Sequence, residues 1–466
     1  MAVLSHPTPL RLWLRRIAAI AMLSSLLGLL LVRTLPVMQD RAPMQLTLVE
    51  SAHLELTAQT LLDLRPDFSH SISEPLKRMI PHRTDGLVQP LWAWVAAWMH
   101  HPEDVGATLR GSGIFRLGLA VGFLAVLGLV ATRSFSLPAA MWVVLMAALH
   151  GFLPVLPSYT GDVLHQILFL ALWLACLYAL QRNSLWVYGV VGAAGALAWL
   201  AEDRLVVPVI LVFMLVSSLR ALWGWVEGHF RAGSQVSLWV WRNHWLGLLM
   251  LAAMFFFIAG PRLQQAHQQF GEAFFSHVDH ARWLATPGDG MRWIEQHPDM
   301  ESLARTPALE RPSAAASLGS MSLGSLLGRL AVGAGLVADQ LKLALPMLGV
   351  MLGLLLTVVL LAWGTCPKAR HAGERLHPEA ATVVLFVVVA IGACALIGLW
   401  DAVVLPVRHL HALVMPLSLT LAWGAESVLR RARRRGLNRG IKAAYLIAMW
   451  LMVLWTMLAS RPGLLG

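Results

Sequence analysis

Charged residues are scarce in this chain of 466 residues, where Asp, Glu, Lys and Arg together make up only 13% and hydrophobic residues 58%. Soluble globular domains carry roughly 25% charged residues. With a mean hydropathy of +0.65, the composition excludes a water-soluble protein of this length. It predicts a protein whose solvent is the lipid bilayer.

Cysteine is also scarce, with only Cys176, Cys366 and Cys394 in the chain. The first and last fall inside predicted membrane spans, and the middle one falls in a predicted cytoplasmic loop. This placement excludes a disulfide framework and a thiolate metal site. A small-x-small cleavage site is missing after the apolar stretch that ends near Pro36, so we expect an uncleaved signal anchor.

Long apolar segments dominate the rest of the chain. A hydrocarbon core about 30 Å thick requires roughly 20 apolar residues per helix. The predicted fold class is all-α integral membrane, with about eleven transmembrane helices and with amphipathic juxtamembrane helices in the first extracytoplasmic loop. The predicted spans lie near residues 17–36, 114–131, 136–153, 163–180, 185–201, 205–222, 244–260, 343–363, 379–399, 409–427 and 441–459.

These spans divide the chain into five regions. The second long loop, residues 261–342, is too apolar and too short for a separate domain. We therefore expect a lid or an interfacial helix within it, near Leu323 to Leu336. The regions are a signal anchor with the first span (1–36), an extracytoplasmic loop with amphipathic helices (37–113), spans two to seven (114–260), a second extracytoplasmic loop (261–342) and spans eight to eleven (343–466).

Lys and Arg in short loops predict the orientation, because basic loops stay in the cytoplasm. With a cytoplasmic N-terminus, Arg133, Arg182 and the basic run 430–435 all fall on the cytoplasmic side, and the C-terminus is extracytoplasmic. We expect an integral protein of a bacterial inner membrane. Anchoring at the membrane surface and contact with membrane lipids then account for the net charge of +11 without a nucleic-acid partner.

The first long loop carries an amphipathic stretch over residues 50–63. On a helix, its apolar and polar side chains separate onto different faces. The apolar face comprises Leu54, Ala58, Leu61 and Leu62, and the polar residues mostly off that face are Glu50, Glu55, Gln59 and Asp63. We expect this helix to lie along the bilayer surface.

Three motifs follow one another along this topology. They are an acidic residue before an apolar helix at Val49–Leu62, a Pro-Leu-Trp segment within Asp85–Trp98, and an Arg-His-Leu-His span entry within Val407–Leu419. Weaker matches occur at Tyr159–Asp162 and Ala198–Arg204. Together the motifs resemble the GT-C superfamily of membrane glycosyltransferases, which includes protein O-mannosyltransferases and the lipid A aminoarabinose transferase.

The resemblance implies that a sugar is taken from a polyprenyl-phosphate carrier on the extracytoplasmic face and passed to a lipid, a polysaccharide or a protein. The implied partners are the polyprenyl-phosphate sugar, one such acceptor and membrane lipids. The motifs require no cofactor. A divalent metal ion is the one candidate cofactor, and its ligands are not assigned. The alternatives are a catalytically inactive lipid-binding or scaffold subunit of the same fold, and a transporter of lipid-linked sugar.

An inverting transfer needs a base at the acceptor hydroxyl and cations at the leaving phosphate. Val49 and Glu50 stand where the family has an acidic pair, so Glu50 is the candidate base, with Asp40 and Glu55 as reserve acids. The alternative role of Glu50 is to cap the helix, where a negative charge is favourable by roughly 0.3–1 kcal/mol.

Asp162 is the second catalytic candidate, because a carboxylate at the start of a span usually faces a cavity or a partner. With His165 one turn along, it could orient sugar hydroxyls or a divalent ion. The alternative is a water-exposed helix N-cap formed by Thr160, Gly161 and Asp162.

Two arginines at span entries are the candidates for phosphate binding. Arg408 offers a guanidinium that binds phosphate oxygens bidentately, and its alternative role is an interfacial anchor. Arg204 stands at another entry, and its alternative role is an ion pair with Glu202 or Asp203.

Histidine is abundant, with 18 residues. His409 and His411 are candidate donors to phosphate or sugar, because they follow Arg408 directly. The groups at 100–104 and 277–280 contain histidines beside acids, but they lack the fixed spacing of a helical His-Glu-x-x-His site. We therefore interpret those two groups as surface polar residues.

Overall fold

The computed structural model is helical over most of the residues that it describes, and no strand occurs among them. The described residues are 28, 46–64, 88–182, 184–231, 234–284, 286–297, 306–307, 310–342, 344–365, 378–404, 408–434 and 439–459. In chain order the helices are α1 Leu48–Leu64, α2 Pro90–Ala97, α3 Val105–Ser134, α4 Leu137–Leu145 with a π-helical continuation Met146–Phe152, α5 Asp162–Gln181, α6 Leu185–Ala201, α7 Val206–Arg231, α8 Ser234–Phe270, α9 His277–Ala281, α10 Pro287–Gln296, α11 Ala314–Ser320, α12 Leu323–Gln340, α13 Ala344–Thr365, α14 Pro378–Asp401, a 3-10 turn Arg408–Leu413, α15 Val414–Arg434 and α16 Arg439–Ala459.

Eight helices in the described part of the chain are long and apolar enough to cross a membrane, so the chain is an all-α integral membrane protein. They are α3, α5, α7, α8, α13, α14, α15 with the 3-10 turn before it, and α16. Two shorter apolar helices, Leu137–Phe152 and Leu185–Ala201, coincide with the predicted third and fifth spans. The predicted first span, 17–36, lies outside the described residues except for Gly28, and the total of about eleven stays a prediction.

Several helix ends differ from the predicted spans, and two of them border the long loops. α3 begins at Val105 rather than near residue 114, because Asp104 Oδ1 accepts a main-chain N–H of its first turn at 2.9 Å and caps it there. α8 continues through Pro261 to Phe270 rather than ending near residue 260. The loops beyond these two boundaries are correspondingly shorter than predicted.

Two apolar cores hold the bundle together, and α5 contributes to both. The first core lies between α3, α4, α13, α15 and α16, and the second lies between α5, α6, α7, α8 and α14. α6 and α8 approach closely at Gly192. A Cβ there would collide with the Leu251 carbonyl oxygen, so only glycine fits. The outer surface carries side chains such as Leu249 and Phe257, which are 66% and 67% exposed and face lipid.

The predicted interfacial helix of the second long loop is confirmed as a helix, α12. It packs against α14, where a Cβ at Gly333 would collide with the Leu399 carbonyl oxygen. Away from this contact it exposes Leu323 and Val332, which are 75% and 57% exposed. Whether this helix acts as a lid stays a prediction.

We name the two ends of the bundle by a hydrogen bond that lies at each. At one end, which we call the loop end, Arg408 Nη1 donates to Ser158 Oγ at 3.2 Å. At the other, which we call the basic end, Arg430 Nη2 donates to the Ser134 carbonyl at 2.8 Å. The α4–α5 and α6–α7 turns and the segment before α15 meet at the loop end, and the candidate site lies there.

Candidate functional site

The N-terminus of α1 is built around Glu50, whose side chain is fully buried. Thr47 and Glu50 form a capping box. The Thr47 N–H and hydroxyl both donate to Glu50 Oε2 at 2.9 Å, and the Glu50 N–H donates to Thr47 Oγ1 at 3.4 Å. Glu50 Oε1 accepts the Tyr159 N–H at 2.7 Å. The predicted capping contact is therefore confirmed, and the same carboxylate ties α1 to the α4–α5 turn.

α1 contacts the rest of the protein through a side that carries polar residues, which its sequence pattern does not predict. Glu50, His53 and Thr57 are buried, whereas Leu54 of the apolar face is only half-buried. Burial of the hydroxyl is tolerated because Thr57 Oγ1 donates to the His53 carbonyl at 2.6 Å and lies 3.3 Å from Tyr159 Oη. The buried side of α1 is therefore mixed, because Leu56 is buried with these polar residues and Leu54 packs against the cluster of Trp92, Ala96, Leu109 and Tyr159.

His53 is a neutral imidazole at pH 7. His53 is only 5% exposed, and this burial lowers its pKa from 6.5 to about 4. The carboxylates of Asp162 and Glu50 oppose this decrease, and Arg116 adds to it. His53 therefore contributes no positive charge to the site. We call Glu50, His53, Arg116, Tyr159 and Asp162 the first-loop cluster.

Acid is expected to destabilise the protein through His53. The folded pKa lies near 4 and the unfolded value near 6.5. The stability that neutral His53 contributes is therefore complete above pH 6.5 and is lost as the pH falls from 6.5 to 4, by at most about 1.4 kcal/mol per pH unit. His53→Gln should make the thermal unfolding midpoint less dependent on pH in this window.

The control for this measurement is His267→Gln, which changes an exposed histidine on α8. It should leave the pH dependence of the unfolding midpoint as in the wild type. A His53→Gln protein with the wild-type dependence between pH 6.5 and 4 would contradict the assignment of a neutral buried imidazole.

Asp162 opens α5 and makes one hydrogen bond to a described residue. Its Oδ2 accepts the Thr160 hydroxyl at 2.5 Å, and among the described residues it makes no other hydrogen bond. The predicted N-cap is not formed by its carboxylate, because Gly161 occupies the cap position without a side-chain bond. The charge of Asp162 acts on both His53 and Glu202. Asp162 therefore interacts electrostatically both with His53 of the first-loop cluster and with Glu202 beside the α6–α7 turn.

α2 packs on the turn that precedes α5. Trp92 is fully buried, and its ring meets the Tyr159 ring edge-on with centroids 6.0 Å apart. A Cβ at Gly161 would lie 2.9 Å from Trp92 Cβ, so glycine permits this approach. Gln89, at the N-cap of α2, donates to Asp203 Oδ2 at 2.9 Å. Gln89 and Trp92, which belong to the second sequence motif, therefore contact the α6–α7 turn and the α4–α5 turn respectively.

Arg204 lies in the α6–α7 turn and makes the predicted ion pair, with Nε 3.3 Å from Glu202 Oε1. Its Nη1 lies 3.2 Å from His409 Nδ1. Because arginine only donates, we assign that nitrogen of His409 as the acceptor and its proton to Nε2. Burial raises the pKa of Glu202, and the guanidinium of Arg204 opposes this increase.

A second ion-pair group lies at the loop end, and no motif predicts it. Arg282 Nη1 is 2.9 Å from Asp279 Oδ1, and its Nη2 is 3.2 Å from Asp401 Oδ2, whose side chain is 1% exposed. Arg329 of α12 donates to the Arg282 carbonyl at 2.7 Å and lies 4.1 Å from the centre of the Trp400 ring. We call Glu202, Arg204, Arg282, Asp401 and His409 the arginine cluster.

The sequence contains a signal that could have identified Asp401 of this group and Arg116 of the first-loop cluster. Asp401 ends the apolar helix α14 and is 0% exposed. Arg116 interrupts the apolar run of α3 and is 2% exposed. A charged residue at such a position usually has a partner inside the protein. The partner itself cannot be read from the sequence, since Arg282 is separated from Asp401 by 119 positions.

Arg408 starts the 3-10 turn and lies beside the α4–α5 turn. Its bond to Ser158 Oγ leaves further guanidinium N–H donors that no described residue accepts. His411 is fixed differently, because its Nδ1 donates to the His150 carbonyl at 2.8 Å. His411 therefore holds the turn against the π-helical end of α4, whereas Arg408 holds it against the α4–α5 turn.

The remaining predicted residues lie in different surroundings. His165 is buried in α5, with its ring centroid 5.6 Å from that of Phe169. Glu55 is exposed on α1 and accepts a 3.4 Å bond from Gln59. Asp40 lies outside the described residues. The predicted residues that the structure brings to the loop end are Glu50, Asp162, His165, Arg204, Arg408, His409 and His411.

Comparisons of the chain with protein-family models, with curated proteins and with solved structures find no match. Within the described ranges, no three His, Cys, Asp or Glu side chains are close enough to hold a metal ion together. Cys176 and Cys394 are buried free thiols. The groups that the described site presents are therefore carboxylates, guanidinium ions and imidazoles.

Proposed function

We propose that the chain is an integral-membrane glycosyltransferase of the GT-C type. It takes a sugar from a polyprenyl-phosphate donor at the loop end and passes it to a lipid, a polysaccharide or a protein. The observation that carries the proposal is the meeting of residues from distant parts of the chain at that end. Glu50 contacts the turn before Asp162 through Tyr159, and Arg408 contacts the same turn through Ser158.

The proposal assigns the base to Asp162. Glu50 Oε1 and Oε2 already accept hydrogen bonds from Tyr159 and Thr47, which weakens that carboxylate as a base. Among the described residues Asp162 accepts one hydrogen bond, from Thr160, and its charge acts on His53 of the first-loop cluster and on Glu202 of the arginine cluster. We therefore treat Glu50 as a positioning residue that sets the α4–α5 turn, and Asp162 as the catalytic residue.

The reaction follows from these assignments. The acceptor hydroxyl oxygen attacks the anomeric carbon of the sugar as the bond from that carbon to the phosphate oxygen breaks. Asp162 takes the hydroxyl proton, and the polyprenyl phosphate leaves with the bonding electron pair. Arg408 donates N–H groups to the phosphate oxygens as negative charge develops on them. Arg204, held by Glu202 and His409, is the second cation near this point.

We also propose which side of the membrane each end of the bundle faces. Arg133, Arg182 and Arg430 lie at helix ends opposite to the loop end, and basic short loops are typical of the cytoplasmic side. The loop end then faces the extracytoplasmic side, with a cytoplasmic N-terminus, an extracytoplasmic C-terminus and about eleven spans. A bacterial inner membrane fits a carrier of the polyprenyl-phosphate class.

Donor binding tests the phosphate assignment. In native mass spectra of protein in mild detergent, the wild type should retain a polyprenyl-phosphate sugar from a panel of such lipids. Arg408→Gln should weaken that retention about tenfold, because it removes charge-assisted bonds to the phosphate. Arg292→Gln, at an exposed arginine of α10 paired with Asp289, is the control and should bind as the wild type. Equal retention by both variants would contradict the role of Arg408.

A second candidate function is a catalytically inactive lipid-binding subunit of the same fold. The observation that favours it is the capping box, since the acid at the family's catalytic position serves the structure of α1 here. This candidate binds the lipid-linked sugar but never releases polyprenyl phosphate. Release of that product therefore separates the two functions.

A further inference from the structure

A pocket of about 260 Å³ opens at the basic end of the bundle. Its wall is formed by the α3–α4 turn, the last turns of α15 and the first turns of α16, and it includes Ser136, Glu426, Arg430, Lys442 and Tyr445. Pockets for drug-sized ligands measure roughly 300–1,000 Å³. This one is of a size for a small polar group. It lies at the opposite end from the site described above.

Two buried hydroxyl groups of this pocket have no hydrogen-bond partner among the described residues. They are Tyr445 Oη, on a residue that is 3% exposed, and Ser136 Oγ. A hydroxyl that is removed from water without a partner costs free energy, so native proteins rarely leave one unsatisfied. Both residues line the pocket.

The charges of the pocket favour an anion. Arg430 is held at the rim, because its Nη2 donates to the Ser134 carbonyl at 2.8 Å and its Nε to the Glu426 carbonyl at 3.4 Å. Lys442 is exposed on the first turn of α16. Among the described wall residues Glu426 is the one carboxylate, and its Oε1 accepts the Ser136 N–H at 3.1 Å, at the N-terminus of α4. Two cations and one carboxylate leave a net positive charge.

We propose that this pocket binds the phosphate of a membrane phospholipid headgroup. Arg430 and Lys442 supply the cations, and the hydroxyls of Tyr445 and Ser136 donate to the phosphate oxygens. We commit to a lipid rather than free phosphate because the helices that form the wall are membrane spans with exposed apolar side chains near the pocket. Val130 of α3 is four positions before the lining residue Ser134 and is 54% exposed, and Ile447 of α16 is two positions after Tyr445 and is 60% exposed. This inference is independent of the sugar-transfer proposal.

The test compares phosphatidylglycerol with diacylglycerol of the same acyl chains, added to delipidated full-length protein in detergent. Native mass spectra should show phosphatidylglycerol retained by the wild type and diacylglycerol not retained. Lys442→Gln should lower the affinity for phosphatidylglycerol about tenfold. Arg133→Gln removes one charge at the same end, from an exposed residue outside the described pocket wall, and should change the affinity less than about twofold.

Tyr445→Phe gives a second readout that does not depend on charge. Without lipid its unfolding midpoint should equal or exceed that of the wild type, because the variant removes a hydroxyl that has no described partner. Its stabilisation by phosphatidylglycerol should be smaller than that of the wild type. Glu426→Gln should bind the lipid more tightly, since it removes the opposing charge.

Three results would overturn the proposal. The first is equal retention of phosphatidylglycerol by wild type, Lys442→Gln and Tyr445→Phe, which would indicate non-specific lipid at the bundle surface. The second is equal retention of diacylglycerol, which carries no phosphate. The third is stabilisation by inorganic phosphate alone, lost in Lys442→Gln, with no retention of phosphatidylglycerol, which would make free phosphate the ligand.

Discussion

Asp162→Asn is expected to lower the rate of sugar transfer by a factor of about 10²–10⁴, the usual contribution of a general base. Asn has the same shape and can still accept the Thr160 hydroxyl, so donor binding and the unfolding midpoint should stay as in the wild type. The measurement is the single-turnover release of polyprenyl phosphate from the bound donor by purified wild type and variant.

Two other acids serve as controls for Asp162→Asn. Glu55→Gln removes an exposed carboxylate from α1 and should keep full turnover. Glu50→Gln should lower the unfolding midpoint, because it weakens the capping box and the bond to the Tyr159 N–H. Full turnover in Asp162→Asn, or loss of turnover in Glu50→Gln at an unchanged midpoint, would place the base at Glu50 instead.

Arg282→Met is expected to destabilise the folded protein by about 3 kcal/mol or more. Methionine keeps much of the side-chain volume but leaves Asp401, with its 1% exposed side chain, without the guanidinium at 3.2 Å. The cost of an unpaired buried charge exceeds that of most single substitutions. The measurement is the midpoint of thermal unfolding in one detergent at one pH.

The matched control is Arg292→Met, which breaks the pair with Asp289 at 3.1 Å. These two side chains are 70% and 38% exposed, and such a surface pair contributes at most about 1 kcal/mol. Adding Asp401→Asn to Arg282→Met removes the unpaired charge and should restore part of the lost stability. Equal small effects of Arg282→Met and Arg292→Met would show that the Asp401 pair is not a buried one.

The membrane helices could be predicted because each signal lies within one segment. A helix in lipid needs a long apolar run, and α5 at Asp162–Gln181 and α16 at Arg439–Ala459 follow the runs near 163–180 and 441–459 closely. The ends of α3 and α8 could not be predicted in the same way. A change in composition marks where a helix leaves the hydrocarbon, and α8 continues past that point through Pro261.

The contact face of α1 shows a second limit of sequence patterns. Periodicity separates an apolar face from a polar one, and in a soluble protein the apolar face is the buried one. Here the buried side of α1 combines Glu50, His53 and Thr57 with Leu56, whereas Glu55 of the polar face is exposed. Contacts with other segments of the chain, rather than the periodicity of α1, decide which side is buried.

Within the site, only contacts between near neighbours in the chain were predictable. The capping role of Glu50 and the ion pair of Arg204 with Glu202 involve residues two or three positions apart. The pair of Arg282 with Asp401 spans 119 positions and depends on how α14 meets the second long loop. Tertiary folding alone brings such residues together.

The most direct test of the account is whether the purified wild-type protein releases polyprenyl phosphate from a polyprenyl-phosphate sugar when an acceptor is present. The account predicts release by the wild type, a release slowed about 10²–10⁴-fold in Asp162→Asn, and an unchanged rate in Glu55→Gln. Retention of the donor without any release by the wild type would contradict it and favour the inactive lipid-binding subunit. Failure to bind any donor of the panel would contradict both.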